Sequence, residues 1–213
     1  MTIISLDGHT LTAAEVMRIA HGGAQVSVSL DAIPRIEAAR SVVERILSND
    51  ETVYGINTGF GALVHQRISS EDLAQLQTNL VRSHATAIGE LMSKEAVRAM
   101  MTVRINSLSK GNSGVHPEVL QQLVNFLNYN ITPAIPRIGS LGASGDLAPL
   151  SHMALSLIGE GEVLSDTHGT EPTLNQMKEH GLIPLELRAK DGLSLINGTS
   201  QMCSFLVLAE QRL

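Results

Sequence analysis

Between Ala148 and Ile158 the chain is apolar on nearly every side of the helix its residues would form. A helix of that kind is stable in water only when other helices enclose it. Candidates to do so are plentiful. Thr12-Ala13-Ala14-Glu15 has the form of a capping box that opens a short helix, and Ile33, Ile36, Val43, Ile46 and Leu47 mark one face of the next. Leu73, Leu76 and Leu80 repeat the spacing toward His84, as do Val97, Met101, Ile105 and Leu108, and then Leu120, Leu123, Val124 and Leu127 after Pro117. Extended structure is expected only at Thr52 to Ile56 and in a hairpin from Glu162-Val163-Leu164 to Glu171-Pro172-Thr173. The fold class that follows is mainly α, with a few short strands and hairpins. With 213 residues, no Trp and three Phe, its core is packed from aliphatic side chains and methionine; a chain of this size buries roughly 70% of its unfolded surface.

The net charge of −6 argues against a nucleic-acid or anionic-membrane partner and suits a protein that handles a small molecule. Cys203 is the single cysteine, so no disulfide within the chain is possible, and its apolar neighbours suggest a buried small side chain. Met1 to Asp7 lacks the pattern of a signal peptide, and no apolar run reads as long enough to span a bilayer. A cytoplasmic location is the expectation.

The helix at Ala148 is preceded by Gly139-Ser140-Leu141-Gly142-Ala143-Ser144-Gly145-Asp146-Leu147, and here the sequence offers unusual chemistry. If the amide nitrogen of Gly145 attacks the carbonyl of Ala143, a five-membered ring closes. Loss of water from the ring and from the Ser144 side chain then leaves a 4-methylidene-imidazol-5-one, an electron-poor alkene. Gly145 lacks a Cβ and can enter a turn too tight for other residues, Ala143 leaves the attacked carbonyl uncrowded, and Ser144 supplies the hydroxyl that is eliminated. Asp146 is placed to cap the helix that follows.

Ala-Ser-Gly alone is common by chance, and the wider pattern gives it weight. The segment Gly142-Ala143-Ser144-Gly145-Asp146-Leu147-Ala148-Pro149-Leu150 resembles the precursor of that prosthetic group in the histidine and aromatic amino-acid ammonia-lyase family. Three further segments resemble the same family in the same order. They are Tyr54-Gly55-Ile56-Asn57-Thr58-Gly59-Phe60-Gly61, Asn79-Leu80-Val81-Arg82-Ser83-His84, and Gly192-Leu193-Ser194-Leu195-Ile196-Asn197-Gly198-Thr199. Ser200 departs from the pattern, since histidine-specific members often have Gln there.

The resemblance implies a deamination in which the group derived from Ser144 is the electrophile and Tyr54 is the base that removes a proton from the substrate β-carbon. A phenol serves as a base only once ionised, a form that converging helix N-termini favour. Asn197 is implied beside the prosthetic group and the substrate amine, and Gly61 and Leu147 on the substrate side. His84 is implied as the wall that meets the substrate side chain, and Ser83-His84 points to histidine, with tyrosine or phenylalanine as alternatives. The family also implies a homotetramer whose sites gather residues from several subunits.

Other readings fit less well. Ser144 is not in a Gly-x-Ser-x-Gly elbow, although a triad with Asp146 and His152 or His116 is compatible with the sequence. The histidines show no His-Glu-x-x-His spacing and no cysteine partner, so no metal site is expected. Thr199 to Leu213 reads as a helix with Met202, Phe205, Leu206 and Ala209 on one side. It has neither a glycine C-cap nor a polar tail, and family members run to more than twice this length. The expected organisation is therefore an N-terminal domain over residues 1–196, which carries the Ala-Ser-Gly precursor, and the first part of a central-bundle helix over residues 197–213. An alternative function follows from that division: a helical assembly unit without catalysis of its own.

Overall fold

A computed structural model describes residues 2–49, 51–59, 68–69, 72–167 and 169–210. Helices dominate. α1 (Ala13–Ala20) opens with the expected capping box, Thr12 with Glu15. α2 spans Ile33–Ser48, α3 Leu73–His84, α4 Lys94–Leu108, α5 Pro117–Asn128 and α6 Leu147–Leu157. α7 (Thr173–Glu179), α8 (Asp191–Ile196) and α9 (Ser200–Glu210) follow. The mainly α fold read from the sequence is the fold observed.

The core is built on α4 and α6. Val97, Met100, Met101, Ile105 and Leu108 of α4 are buried, as are Leu150, Met153, Ala154 and Leu157 of α6. α6 packs against α3, α5, α8 and α9, which is the enclosure its composition demands. Each fully buried Leu or Met in such a core contributes about 1.5–3 kcal/mol relative to an exposed one.

Among the described residues the strands lie in three pairs. β1 (Thr2–Leu6) runs parallel to β2 (Ala24–Val28), with Ile4 opposite Val26. β3 (Ile88–Leu91) is antiparallel to β4 (Pro136–Ile138), and β5 (Glu162–Ser165) forms the expected hairpin with β6 (Gly169–Pro172). The hairpin is one residue shorter than its sequence suggests, because Thr173 already belongs to α7.

Three expectations are corrected. Thr52 to Ile56 is a turn and not a strand: Asn57 accepts from the Val53 N–H at 2.9 Å and donates to the Glu51 carbonyl at 2.6 Å, and Gly55 has φ +75°. An Asn side chain that satisfies the local backbone competes directly with strand pairing. Cys203 is exposed. In α9, Ser200, Gln201 and Ser204 are buried, while Met202, Phe205 and Leu206 face outward, Leu206 at 72% exposure. The stretch Asp191–Glu210 also has the length and mean hydropathy, 1.2, of a membrane-crossing segment, contrary to the reading of the sequence. It is two helices broken at Asn197-Gly198-Thr199, and it packs against the core through α4 and α6.

Candidate active site

The loop between β4 and α6 is held from both ends. Near its start, Gly139 lies against Ala87 and Ala148, where a Cβ would come within 2.7 Å of the Ala87 Cβ. At its end, Gly145 is buried with φ +107°, and a Cβ there would sit 2.5 Å from the Gly198 carbonyl oxygen. Only glycine fits such a backbone in such a space. Ala143 and Ser144, by contrast, are exposed. The residue whose nitrogen must attack is therefore pinned in a compressed turn, and the hydroxyl to be eliminated stands clear of the core. These residues fit the prosthetic group their sequence implies.

Asp146 explains how the turn is pinned. It is fully buried, and its backbone N–H donates to the Gly198 carbonyl at 2.7 Å. Its carboxylate makes no side-chain cap at the start of α6, which corrects the role expected from the sequence. Instead Oδ2 accepts from the backbone N–H groups of Gln201 at 2.8 Å and Met202 at 3.1 Å, and Oδ1 accepts from the Ser140 hydroxyl at 2.6 Å. Asp146 thus caps α9, a helix far along the chain, and ties the precursor loop to it. Capture of those N–H groups also sets the rotation of α9, bringing Ser200, Gln201 and Ser204 inward.

Asn197 is the C-terminal cap of α8, exposed, with its N–H donating to Leu193 O at 3.1 Å. It lines a cleft of about 250 Å³ with Arg104, Lys110, Lys190 and Leu193. The other end of α8 is fixed by Asp191, which accepts from the backbone N–H groups of His116 at 2.8 Å and Arg188 at 2.9 Å and pairs with Arg40 at 3.4 Å. Burial pushes the Asp191 carboxyl up to about 6, against those hydrogen bonds and the Arg40 charge.

The remaining segments converge on α8. Gly55, beside Tyr54, lies so close to Leu193 that a Cβ would come within 2.8 Å of its Cδ2. Gly192 lies against Gln77 of α3, whose Oε1 accepts from the Leu193 N–H at 3.1 Å. Tyr54 itself is 60% exposed. His84 ends α3, half-buried, with Nδ1 2.9 Å from Leu80 O and 3.0 Å from Ser83 Oγ. In the neutral ring, the contact with the Leu80 carbonyl is a donation from Nδ1 and leaves Nε2 as an acceptor. Leu147 is half-buried at the first turn of α6. Gly61 lies outside the described residues.

The loops and helices that carry Tyr54, His84, Ser144 and Asn197 thus meet around α8, joined through backbone and neighbouring residues. The hydrolase triad is not assembled. Both Asp146 oxygens are engaged elsewhere, His152 Nε2 is buried without a hydrogen-bond partner among the described residues, and His116 caps α5 by accepting from the Glu118 N–H. Sequence reasoning missed Arg104 and Gln77, which are charged or polar residues buried on helices whose apolar stripes drew the attention.

A family model described as aromatic amino acid lyase matches residues 11–213. A histidine ammonia-lyase from Geobacillus thermodenitrificans is 47% identical over 207 residues, covering 97% of this chain and 41% of that protein. A tyrosine ammonia-lyase from Cupriavidus metallidurans is 48% identical over 197 residues, covering 92% of this chain and 37% of that protein. The crystal structure of tyrosine aminomutase from Streptomyces globisporus superposes with a TM-score of 0.93 at 44% identity, covering 99% of this chain and 39% of that one. The chain spans about two fifths of the length of these relatives.

Proposed function

The chain belongs to the aromatic amino acid lyase family, and on that premise we propose that it forms part of an ammonia-lyase that converts L-histidine to trans-urocanate and ammonia. The observation that carries the lyase reading is the compressed Gly145 turn against Gly198, with Ser144 exposed beside it. Ala143, Ser144 and Gly145 would furnish the methylidene-imidazolone, which supplies an electron-poor alkene that no encoded side chain offers. In this reading Tyr54 takes the proton from the substrate β-carbon, and Asn197 positions the amine through its amide. Leu147 and Gly61 contribute to the substrate wall.

Histidine is favoured as substrate by His84. Its Nδ1 is engaged by Leu80 and Ser83, so Nε2 can accept a hydrogen bond from the N–H of a substrate imidazole. A tyrosine lyase or aminomutase is the second reading, since relatives with those names are as similar to the chain as the histidine enzyme is. We further propose that the intact enzyme is a homotetramer acting on a small amino acid in the cytoplasm. With the chain spanning two fifths of its relatives' length, the 213 residues alone are proposed to turn over little or no substrate, and an assembly role without catalysis is their alternative.

The test is to combine the chain with the rest of the relatives' length, in one polypeptide or in trans, and to assay histidine, tyrosine and phenylalanine side by side. Turnover fastest on histidine, read as urocanate absorbance, is expected, with the chain alone near background. Preference for tyrosine would overturn the substrate assignment, and robust turnover by the chain alone would overturn its dependence on the remainder.

A further inference from the structure

Arg104 carries a charge into the core of the domain. It lies on α4 between Met101 and Ile105 and is 3% exposed. A buried cation is costly unless its donors are used. Two acceptors come from α8, whose last carbonyls have no partner within the helix. Nη2 of Arg104 donates to the carbonyls of Ser194 and of Asn197, the latter at 3.0 Å. The guanidinium also fills the space a side chain at position 198 would need, since a Cβ on Gly198 would collide with Nη1.

Gly198 is therefore gripped on two sides. On one stands Arg104. On the other, the Gly198 carbonyl accepts the Asp146 N–H and abuts Gly145. The place of Gly145 is set by Gly198, and the place of Gly198 by Arg104. The same guanidinium holds the Asn197 carbonyl and with it the direction of that side chain. The nearby Asp146 charge favours the cation, although burial lowers the Arg104 pKa to about 10.

We propose that Arg104 is a positioning residue for the reaction: it braces the Asn197-Gly198 backbone so that the Ala143-Ser144-Gly145 turn is compressed enough to cyclise and the Asn197 amide is correctly aimed. The proposal rests on the lyase reading above. It assigns a reaction-related task to a residue that would otherwise be a structural cation at the end of a helix, and the two roles differ in what they change. A structural cation affects stability alone. A brace also affects ring formation and the chemical step.

The experiment uses the assembled lyase with Arg104→Lys, Arg104→Met and Gly198→Ala beside the parent. Lys keeps the charge but lacks the planar guanidinium whose Nη1 occupies the space beside Gly198, and Gly198→Ala presses on the same contact from the other side. Three quantities are read: the mass of the peptide spanning residues 143–145, kcat and KM per cyclised site, and the melting temperature. The expected result is that a large fraction of that peptide keeps both waters in each folded variant. The cyclised remainder should turn over about a hundredfold more slowly, with KM little changed, as misplacement of a positioned group by about 1 Å does. Complete cyclisation with the parent's kcat in Arg104→Lys, even at a lower melting temperature, would overturn the proposal. Should Arg104→Lys fail to fold, the same outcome in Gly198→Ala decides against it. A parent peptide with no loss of water would instead sink the lyase reading itself, which keeps the two failures apart.

Discussion

Ser144→Ala in the assembled lyase should lose turnover by a factor on the order of 10³ or more, because it removes the only source of the electrophile on which the reaction depends. The structure argues that nothing else will be lost. Ser144 is exposed and lies outside the core, so the substitution should leave stability within about 0.5 kcal/mol of the parent. The pairing of a very large catalytic loss with an unmoved melting temperature is the informative result. Retained turnover would show that deamination proceeds without a group derived from Ser144. A large fall in stability would show that Ser144 supports the loop itself.

Asp146→Ala should act in the opposite sense, on stability first. The change deletes acceptors for the Gln201 and Met202 N–H groups and for the Ser140 hydroxyl. It leaves the first turn of α9 uncapped in a buried setting, and it removes the carboxylate whose charge favours the Arg104 cation. Loss of an N-cap and of hydrogen bonds to a charged acceptor together amounts to about 3 kcal/mol, or roughly 6–12 °C in melting temperature for a domain of this size. Asp146→Asn, which keeps one carbonyl acceptor, should lose about half as much. Thermal melts of the three proteins read the difference. A melting temperature within about 2 °C of the parent for Asp146→Ala would contradict the view that this carboxylate clamps the precursor loop to α9.

Much of the fold was legible because its signals are local. The capping box at Thr12, Pro117 at the first turn of α5 and the apolar spacing of α2 to α5 each depend on residues within a few positions of one another. The enclosure of α6 followed from composition alone, since no exposed helix tolerates so apolar a surface. What escaped depends on distant partners. The apolar residues of α9 share one side, but which side is buried depends on Asp146, 55 positions before Gln201, whose carboxylate accepts from the Gln201 N–H. The parallel pairing of β1 with β2 is supported by Asn128, which accepts from the Val26 N–H at 2.8 Å and donates to its carbonyl at 3.0 Å across 102 positions.

The candidate site divides along the same line. Gly145 was identifiable from its place in the Ala-Ser-Gly tripeptide, and the structure supplies the reason in its φ of +107° and the carbonyl that leaves no room for a Cβ. Asp146 was visible as a cap, but of the wrong helix. Arg104 gave no signal, because a charged residue beside an apolar stripe ordinarily marks the solvent face, and only the folded chain reveals the unpaired carbonyls of α8 that draw it inward.

The central claim is that Ala143, Ser144 and Gly145 become a methylidene-imidazolone held against the Gly198 backbone. Mass analysis of the peptide spanning Gly139 to Leu150, taken from assembled lyase that turns over histidine, tests it most directly. A peptide lighter than its encoded sequence by two waters, with the loss confined to those three residues, is the predicted result; the full encoded mass in an active preparation would contradict it.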